Sequence, residues 1–163
     1  DKLKALPSIS LFYAWWYPSR WIKGIFTPLY LSHGRFAKHL RFIHRSAAKC
    51  ARESFHGMMV FQAGMERKQM FLFRLVDVVN ELFAMTASIA RAIAIAKRGG
   101  PEAASAAEAA DAFCKKSRRV VVQRFHELWS NDDLDKVALS SQVLKGDHVW
   151  MEAMPERLNT FRK

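Results

Sequence analysis

The segment from residue 66 to residue 98 constrains the fold more than any other part of the chain. Apolar side chains would cover most of the circumference of a helix formed by this segment. The remaining narrow polar seam consists of Arg67, Arg74, Asp77, Glu81 and Ser88. Gly99, Gly100 and Pro101 follow, which is typical of a helix end and the start of the next helix. A helix this apolar is predicted to lie in the centre of a bundle.

Three further helices are predicted, over residues 35–63, 102–129 and 133–145. Residues 1–34 hold all but two of the prolines together with a cluster of aromatic residues, which predicts an irregular aromatic-rich leader that acts as a linker or strap. Only 7 Gly and 5 Pro in 163 residues disfavour an all-β fold. The sequence therefore predicts an all-α protein, an up-and-down four-helix bundle over residues 35–163 preceded by the leader.

The sequence predicts no membrane-spanning helix and no signal peptide. No charge-free apolar run approaches the ~20 residues that a membrane-spanning helix needs. The chain opens at Asp1 without Met or a signal-peptide pattern, so we expect it to be part of a longer protein. Cys50 and Cys114 are far apart, which favours a reducing compartment over a disulfide scaffold.

The positive charge is concentrated near the N-terminus. The net charge is +11, and the first 52 residues hold ten basic groups against one acid. On the helix predicted over 35–63 the basic residues form a stripe opposite the apolar face, with one aromatic ring beside them. The residues predicted to dock on an anionic surface or a partner are Arg35, Lys38, Arg41, Phe42, Arg45, Lys49 and Arg52. A partner or parent domain, an anionic membrane surface and a solvated face all remain open, and nucleic acid is least favoured because no reading motif is visible.

The leader carries a second candidate surface. Trp15, Trp16, Tyr17 and Trp21 are predicted to form an aromatic interface, either as a strap across the bundle or against a partner. Trp and Tyr rings also suit the headgroup region of a membrane.

Residues with catalytic or metal-binding patterns are scarce. No two of the six histidines lie three or four residues apart, and no Ser–His or Cys–His motif is present. Arg74, Asp77 and Glu81 form a seam that we interpret as a structural ion-pair network, the alternative being a general base. No catalytic, cofactor-binding or metal-ligating residue is predicted.

Residues 74–85, with the sequence RLVDVVNELFAM, are followed by Arg91 and resemble a known family. They are similar to the C-terminal helical domain of large acyl-CoA dehydrogenases, of the very-long-chain type and the actinobacterial fatty-acid-degradation homologues. The resemblance spans most of residues 35–152 and includes Trp150, Met151 and Glu152. Residues 3–7 also resemble the linker that enters that domain.

The resemblance implies a non-catalytic module. Parent enzymes use FAD to oxidise acyl-CoA in fatty-acid β-oxidation, and their flavin site and catalytic glutamate lie in upstream domains without a counterpart here. We therefore expect no cofactor in this chain and FAD in the parent. The expected partners are the catalytic core of the parent, a homodimer of the parent and an anionic membrane surface. The implied location is the cytoplasm, peripheral to the inner membrane face in a bacterium, or the mitochondrial matrix in a eukaryote. The alternative is a free-standing basic helical module that binds an anionic membrane surface or nucleic acid.

Overall fold

The computed structural model describes the backbone of residues 2–151 and the side chains of residues 11–22 and 26–151. Within these residues the chain forms five α-helices, three short 3₁₀ helices and no strand. The α-helices are α1 (Lys2–Ile25), α2 (Ala37–Phe61), α3 (Gln69–Arg98), α4 (Ala103–Glu127) and α5 (Asp133–Leu144). The 3₁₀ helices are Leu31–Phe36, Gln62–Arg67 and Val149–Met151. The predicted all-α class is confirmed.

The chain divides into two compact units, Asp1–Trp129 and Ser130–Lys163. The first unit contains α1 to α4, and the second contains α5. The helices predicted over 35–63, 66–98, 102–129 and 133–145 correspond to α2, α3, α4 and α5, with ends that differ by a few residues. Gly99 ends α3 in the left-handed conformation, with φ of 73°, as its position after the apolar segment indicates.

The core of the first unit lies between α3, α4 and α2. One face of α3 is buried, and its residues are Phe71, Leu75, Val78, Leu82, Met85 and Ile89. They pack with the α4 residues Cys114, Val121 and Phe125, with Leu128 after α4, and with Cys50 of α2. These side chains recur every three or four residues, so each helix presents a continuous apolar stripe to the others.

The expectation that α3 is enclosed by the bundle is wrong for one of its faces. Phe73, Val76, Val79 and Phe83 are 51–74% exposed, on the side of α3 away from the core. We call these four residues the outer face of α3. By length and composition, α3 could also cross a membrane. The side of α3 opposite the outer face supplies the core described above.

The predicted irregular leader is also wrong, because residues 2–25 form α1. Pro18 lies inside this helix, where proline costs about 3 kcal/mol because its ring displaces a carbonyl and its N–H is missing. Tertiary contacts offset this cost: the rings of Tyr13, Trp16 and Tyr17 lie 5.2–5.7 Å from the Phe55 ring of α2. Residues 3–7, which resemble a linker, are part of α1, and Glu152 lies outside the described residues.

Gly57 of α2 makes the close contact between α2 and α3 possible. A Cβ at this position would lie 2.5 Å from Cε1 and 2.7 Å from Cζ of Phe71. The Phe71 ring cannot move away easily, since it is buried and packs edge-on to Phe61 and Trp129.

We therefore expect Gly57→Ala to destabilise the protein. Overpacking typically costs about 1–3 kcal/mol, which outweighs the gain in helix propensity of about 1 kcal/mol. Gly64→Ala is the matched control, because a Cβ there meets nothing within 4 Å. Urea denaturation of both variants tests this, and equal stability of the two would contradict it.

Candidate functional site

Much of the predicted basic stripe holds the end of α1 and the segment after it against α2. Arg41 donates a hydrogen bond from Nη1 to the carbonyl oxygen of Leu29 at 2.8 Å, and Nε of Arg45 donates to Oγ1 of Thr27 at 3.2 Å. Arg52 donates from Nη1 to the carbonyl oxygen of Arg20 at 3.1 Å. The guanidinium of Arg52 also lies 4.4 Å from the centre of the Trp21 ring.

The remaining stripe residues face α4 or solvent. Nζ of Lys38 lies 2.9 Å from Oδ1 of Asp111, and Nζ of Lys49 lies 4.5 Å from the centre of the Phe125 ring. Phe42, the apolar residue beside the stripe, packs against the core under the guanidinium of Arg118 at 4.8 Å. Arg35 is exposed in the 3₁₀ helix that precedes α2. Six of the seven predicted docking residues thus lie along one side of α2, Arg35 precedes the helix, and most of the seven also make contacts within the chain.

The predicted aromatic interface divides into an inner and an outer part. Trp16 and Tyr17 face Phe55, whereas Trp15 is 80% exposed and Trp21 is 47% exposed. The Tyr17 hydroxyl lies 2.7 Å from Nε2 of His56.

A network of polar groups continues from His56. Nδ1 of His56 is 3.5 Å from Oε2 of Glu53, and that oxygen accepts a hydrogen bond from Nε1 of Trp129 at 2.7 Å. Together with the Tyr17 hydroxyl, these groups connect α1, α2 and the end of the first unit.

The predicted ion-pair network of Arg74, Asp77 and Glu81 does not form, because these residues are not paired with one another. Arg74 is buried, and its Nε lies 4.0 Å from Oε2 of Glu127. Oδ2 of Asp77 lies 3.1 Å from Nε of Arg124. Glu81 forms no ion pair with any described residue. Glu127, near Arg74, and Arg124, paired with Asp77, both belong to α4. These ion pairs therefore link α3 to α4.

A buried histidine that the sequence pattern did not indicate lies between α2 and α4. His39 is fully buried, its Nε2 lies 2.8 Å from Oδ1 of Asp111, and its Nδ1 has no hydrogen-bond partner among the described residues. Asp111 also contacts Nζ of Lys115 at 2.7 Å and Nζ of Lys38. Because His39 and Asp111 are 72 residues apart in the sequence, no local spacing could have shown the pair.

The titration of this cluster follows from its contacts. Burial lowers the pKa of His39 below its usual 6.5, and the unpartnered Nδ1 is where the second proton would have to be placed. Hydrogen bonds from Lys115, His39 and Lys38 hold the pKa of Asp111 well below its usual range. The folded state therefore favours a neutral His39 beside an ionised Asp111.

Chemistry at sulfur or at a metal finds no support in these residues. Cys50 and Cys114 are free and buried, and burial raises the pKa of both thiols, that of Cys114 to about 11. Neither forms a nucleophilic thiolate near neutral pH. The described residues contain no group of three or more His, Cys, Asp or Glu that could hold a metal ion.

An apolar groove of about 460 Å³ lies between α2 and α3. Val79 and Phe83 of the α3 outer face line it, together with α2 residues such as Ile43 and Ala47. The groove and the outer face form a continuous apolar surface.

Comparison with known proteins shows the family of this chain. Residues 44–147, from within α2 to just after α5, match the family model described as ACAD9/ACADV, C-terminal domain. This chain belongs to that family. Two of its relatives are the probable acyl-CoA dehydrogenases FadE10 of Mycobacterium tuberculosis (strain ATCC 25618 / H37Rv) and Mycobacterium bovis (strain ATCC BAA-935 / AF2122/97). Each is 41% identical over 153 residues, covering 93% of this chain and 24% of the relative. No solved structure matches the chain significantly.

The chain spans about a quarter of the length of the curated relatives that it matches. The family match confirms the resemblance carried by residues 74–85, which lie in α3. α1 and the first residues of α2 precede the part that the family model matches.

The groove between α2 and α3 does not fit a flavin. The groove between α2 and α3 is lined almost entirely by apolar side chains, with hydroxyl groups only from Ser54 and Thr86. A flavin and its pyrophosphate require several placed donors and acceptors and a phosphate-binding backbone. No catalytic step through FAD is assigned to this chain.

We expect the stability of the domain to fall as the pH is lowered from about 7.5 to 5. The unfolded chain takes up a proton on His39 near pH 6.5, whereas the folded chain excludes it. The contribution of a neutral His39 is therefore fully present above this pH and is lost progressively below it. Protonation of Asp111 lowers the stability of the folded state further at still lower pH.

Urea denaturation at several pH values measures this dependence. His39→Gln keeps an amide that can donate to Asp111 but removes the titrating imidazole, so its stability should depend less steeply on pH over this range. If the stability of the wild type and of the variant changed equally with pH, His39 would not be responsible for the pH dependence.

Proposed function

We propose that this C-terminal domain of an acyl-CoA dehydrogenase-like protein is a non-catalytic module that docks on the catalytic core of its parent. The parent would be an FAD-dependent enzyme of fatty-acid β-oxidation. The observation that carries the proposal is the outer face of α3, an apolar surface on the helix that also supplies the domain's own core.

The side chains of this face suit a permanent interface. Phe73, Val76, Val79 and Phe83 carry no charge, so covering them requires no desolvation of an ionised group. Phe83 is 74% exposed and stands beside the apolar groove, which provides a recess for a partner side chain. Aromatic residues next to such recesses often dominate binding energy.

The parent's own core is the occupant favoured by the comparisons. About three quarters of each curated relative has no counterpart in this chain, and those relatives are named as acyl-CoA dehydrogenases. A domain that is always tethered to its partner can keep a large apolar surface without exposing it to other proteins. The second partner in this proposal is a homodimer of the parent in the cytoplasm.

The coding sequence on the N-terminal side of Asp1 provides the first test. We expect it to encode, in the same reading frame, a flavin-type core with its catalytic glutamate. A start codon at this point with no such core would overturn the proposal and would favour the free-standing binding module.

In the full-length enzyme we expect Val79→Glu combined with Phe83→Glu to release the domain from the core. Disrupting the central side chains of an interface costs about 2 kcal/mol or more of binding free energy. This corresponds to about a 30-fold larger population of undocked domain. Limited proteolysis between core and domain should accelerate accordingly.

Met59→Glu combined with Val60→Glu is the matched control for this experiment. Met59 and Val60 of α2 are 60% and 62% exposed, and they lie outside the α3 outer face. Circular dichroism should show unchanged helicity in all variants. Equal cleavage rates for the double variant and the control would argue against docking through α3. A change from dimer to monomer without faster cleavage would assign the face to the homodimer instead.

Membrane association is a second candidate, favoured by the exposed side of α1. Leu11, Trp15 and Ile22 are 53–80% exposed and lie on one side of this helix. A Trp among aliphatic residues, in the part of the chain that holds most of the positive charge, is typical of a helix at an anionic headgroup interface.

For this candidate we expect the chain to co-sediment with vesicles that contain anionic lipid and not with neutral vesicles. Trp15→Glu should weaken this binding at least tenfold, since it places a negative charge at the centre of the exposed side. Val137→Glu on α5, where Val137 is 66% exposed, is the control. Indistinguishable sedimentation with both vesicle types would exclude an anionic-surface role for α1.

A further inference from the structure

A second groove, separate from the outer face of α3, opens along α2 at the centre of the basic stripe. Its volume is about 390 Å³, and it lies between the end of α1, α2 and α4. Three aromatic rings form its walls: Trp21 from α1, Phe42 from α2 and Phe125 from α4. Most of the lining is apolar, and its neutral hydrogen-bonding groups are the hydroxyl of Ser46 and the indole N–H of Trp21.

The rim of this groove is positively charged. Arg45, Lys49 and Arg52 line it from successive turns of α2, so their heads project along the same edge. Among the described residues, none of these three has a carboxylate within 4.0 Å. Their partners are the Thr27 hydroxyl, the Phe125 ring, and the Arg20 carbonyl with the Trp21 ring.

This combination differs from an ordinary surface salt-bridge array. Lys38 and Arg124, which lie outside the groove, each meet an acid within 4.0 Å. The three groove cations instead have neutral partners, which leave their positive charge uncompensated. An anion placed between them would gain charge-assisted hydrogen bonds without displacing a carboxylate.

We propose that this groove binds one molecule of an anionic amphiphile. The phosphate or carboxylate head would lie between Arg45, Lys49 and Arg52, and the alkyl chain would lie between the aromatic walls. The volume is near the lower end for small-molecule sites, which suits one small ligand. A nucleotide base is less suitable, because the walls supply one hydroxyl, one indole N–H and no amide or acid side chain to read its edges.

The proposal is independent of docking through α3, since none of the residues that line this groove belongs to α3. Failure of one proposal therefore leaves the other in place.

Isothermal titration of the whole chain with dodecyl phosphate below its micellar concentration tests the proposal. We expect binding of one molecule per chain, weakened by added salt. Dodecanoate should bind if the head can be a carboxylate. Inorganic phosphate, which lacks the alkyl chain, and dodecanol, which lacks the anionic head, should each bind at least tenfold more weakly. AMP is included as the nucleotide probe.

Two variants locate the site. Arg45→Met with Lys49→Met keeps the alkyl stems and removes two charges, and it should weaken binding at least tenfold because the charge-assisted hydrogen bonds to the head are lost. Val122→Trp fills the groove without changing any charge and should weaken binding as strongly, because Val122 lines the groove and is exposed. Lys116→Met with Arg119→Met removes the same charge from exposed positions on α4 and should change binding less than twofold.

Several results would overturn the proposal. These are no binding of dodecyl phosphate, equal loss in the groove and control variants, and equally tight binding of inorganic phosphate or AMP. Binding to anionic vesicles without binding of the monomer would also overturn it, since the basic residues would then act as a surface and not as a groove.

Discussion

The side chains between α3 and α4 determine the position of almost everything else in the first unit. Met85, Ile89 and Val78 of α3 are almost completely buried, as are Cys114 and Val121 of α4. The ion pair of Asp77 with Arg124 and the approach of Arg74 to Glu127 lie at the edge of the same contact. Because interiors pack at close to crystal density, a shift of one helix would disturb all of these contacts together. The same contact turns the remaining apolar side of α3 outward.

α2 is held to this pair of helices by a different mixture of forces. Gly57 allows close approach to the Phe71 ring, and His39 contributes one buried hydrogen bond to Asp111. The basic side chains of α2 then attach the end of α1 and the segment after it through backbone carbonyls, a hydroxyl and an aromatic ring. A charge pattern that resembles a free surface in the sequence therefore also serves as a set of attachments within the chain.

The periodicity of apolar residues was enough to locate α2 to α5, because each helix has a strong amphipathic pattern or a clear end signal such as Gly99. Local rules failed for α1, where Pro18 argues against a helix and distant α2 residues such as Phe55 and Arg52 supply the contacts that hold it. The sequence pattern also could not show which apolar side of α3 is exposed, since that depends on how many neighbours pack around it. The family was recognisable because residues 74–85 contribute to core packing, whereas the His39–Asp111 pair and the groove arise from residues far apart in the chain.

Trp21 belongs to α1, yet it forms one wall of the groove on α2, beside Phe42 and Phe125. The groove is complete only while α1 lies against α2. Any ligand that binds there must then favour the docked position of α1, and by thermodynamic linkage the docking of α1 must favour the ligand to the same extent. α1 rests on α2 through peripheral rings and a few hydrogen bonds, so its local opening requires less free energy than unfolding of the α3–α4 core. Occupancy of a small groove would in this way set how often the N-terminal helix leaves the domain.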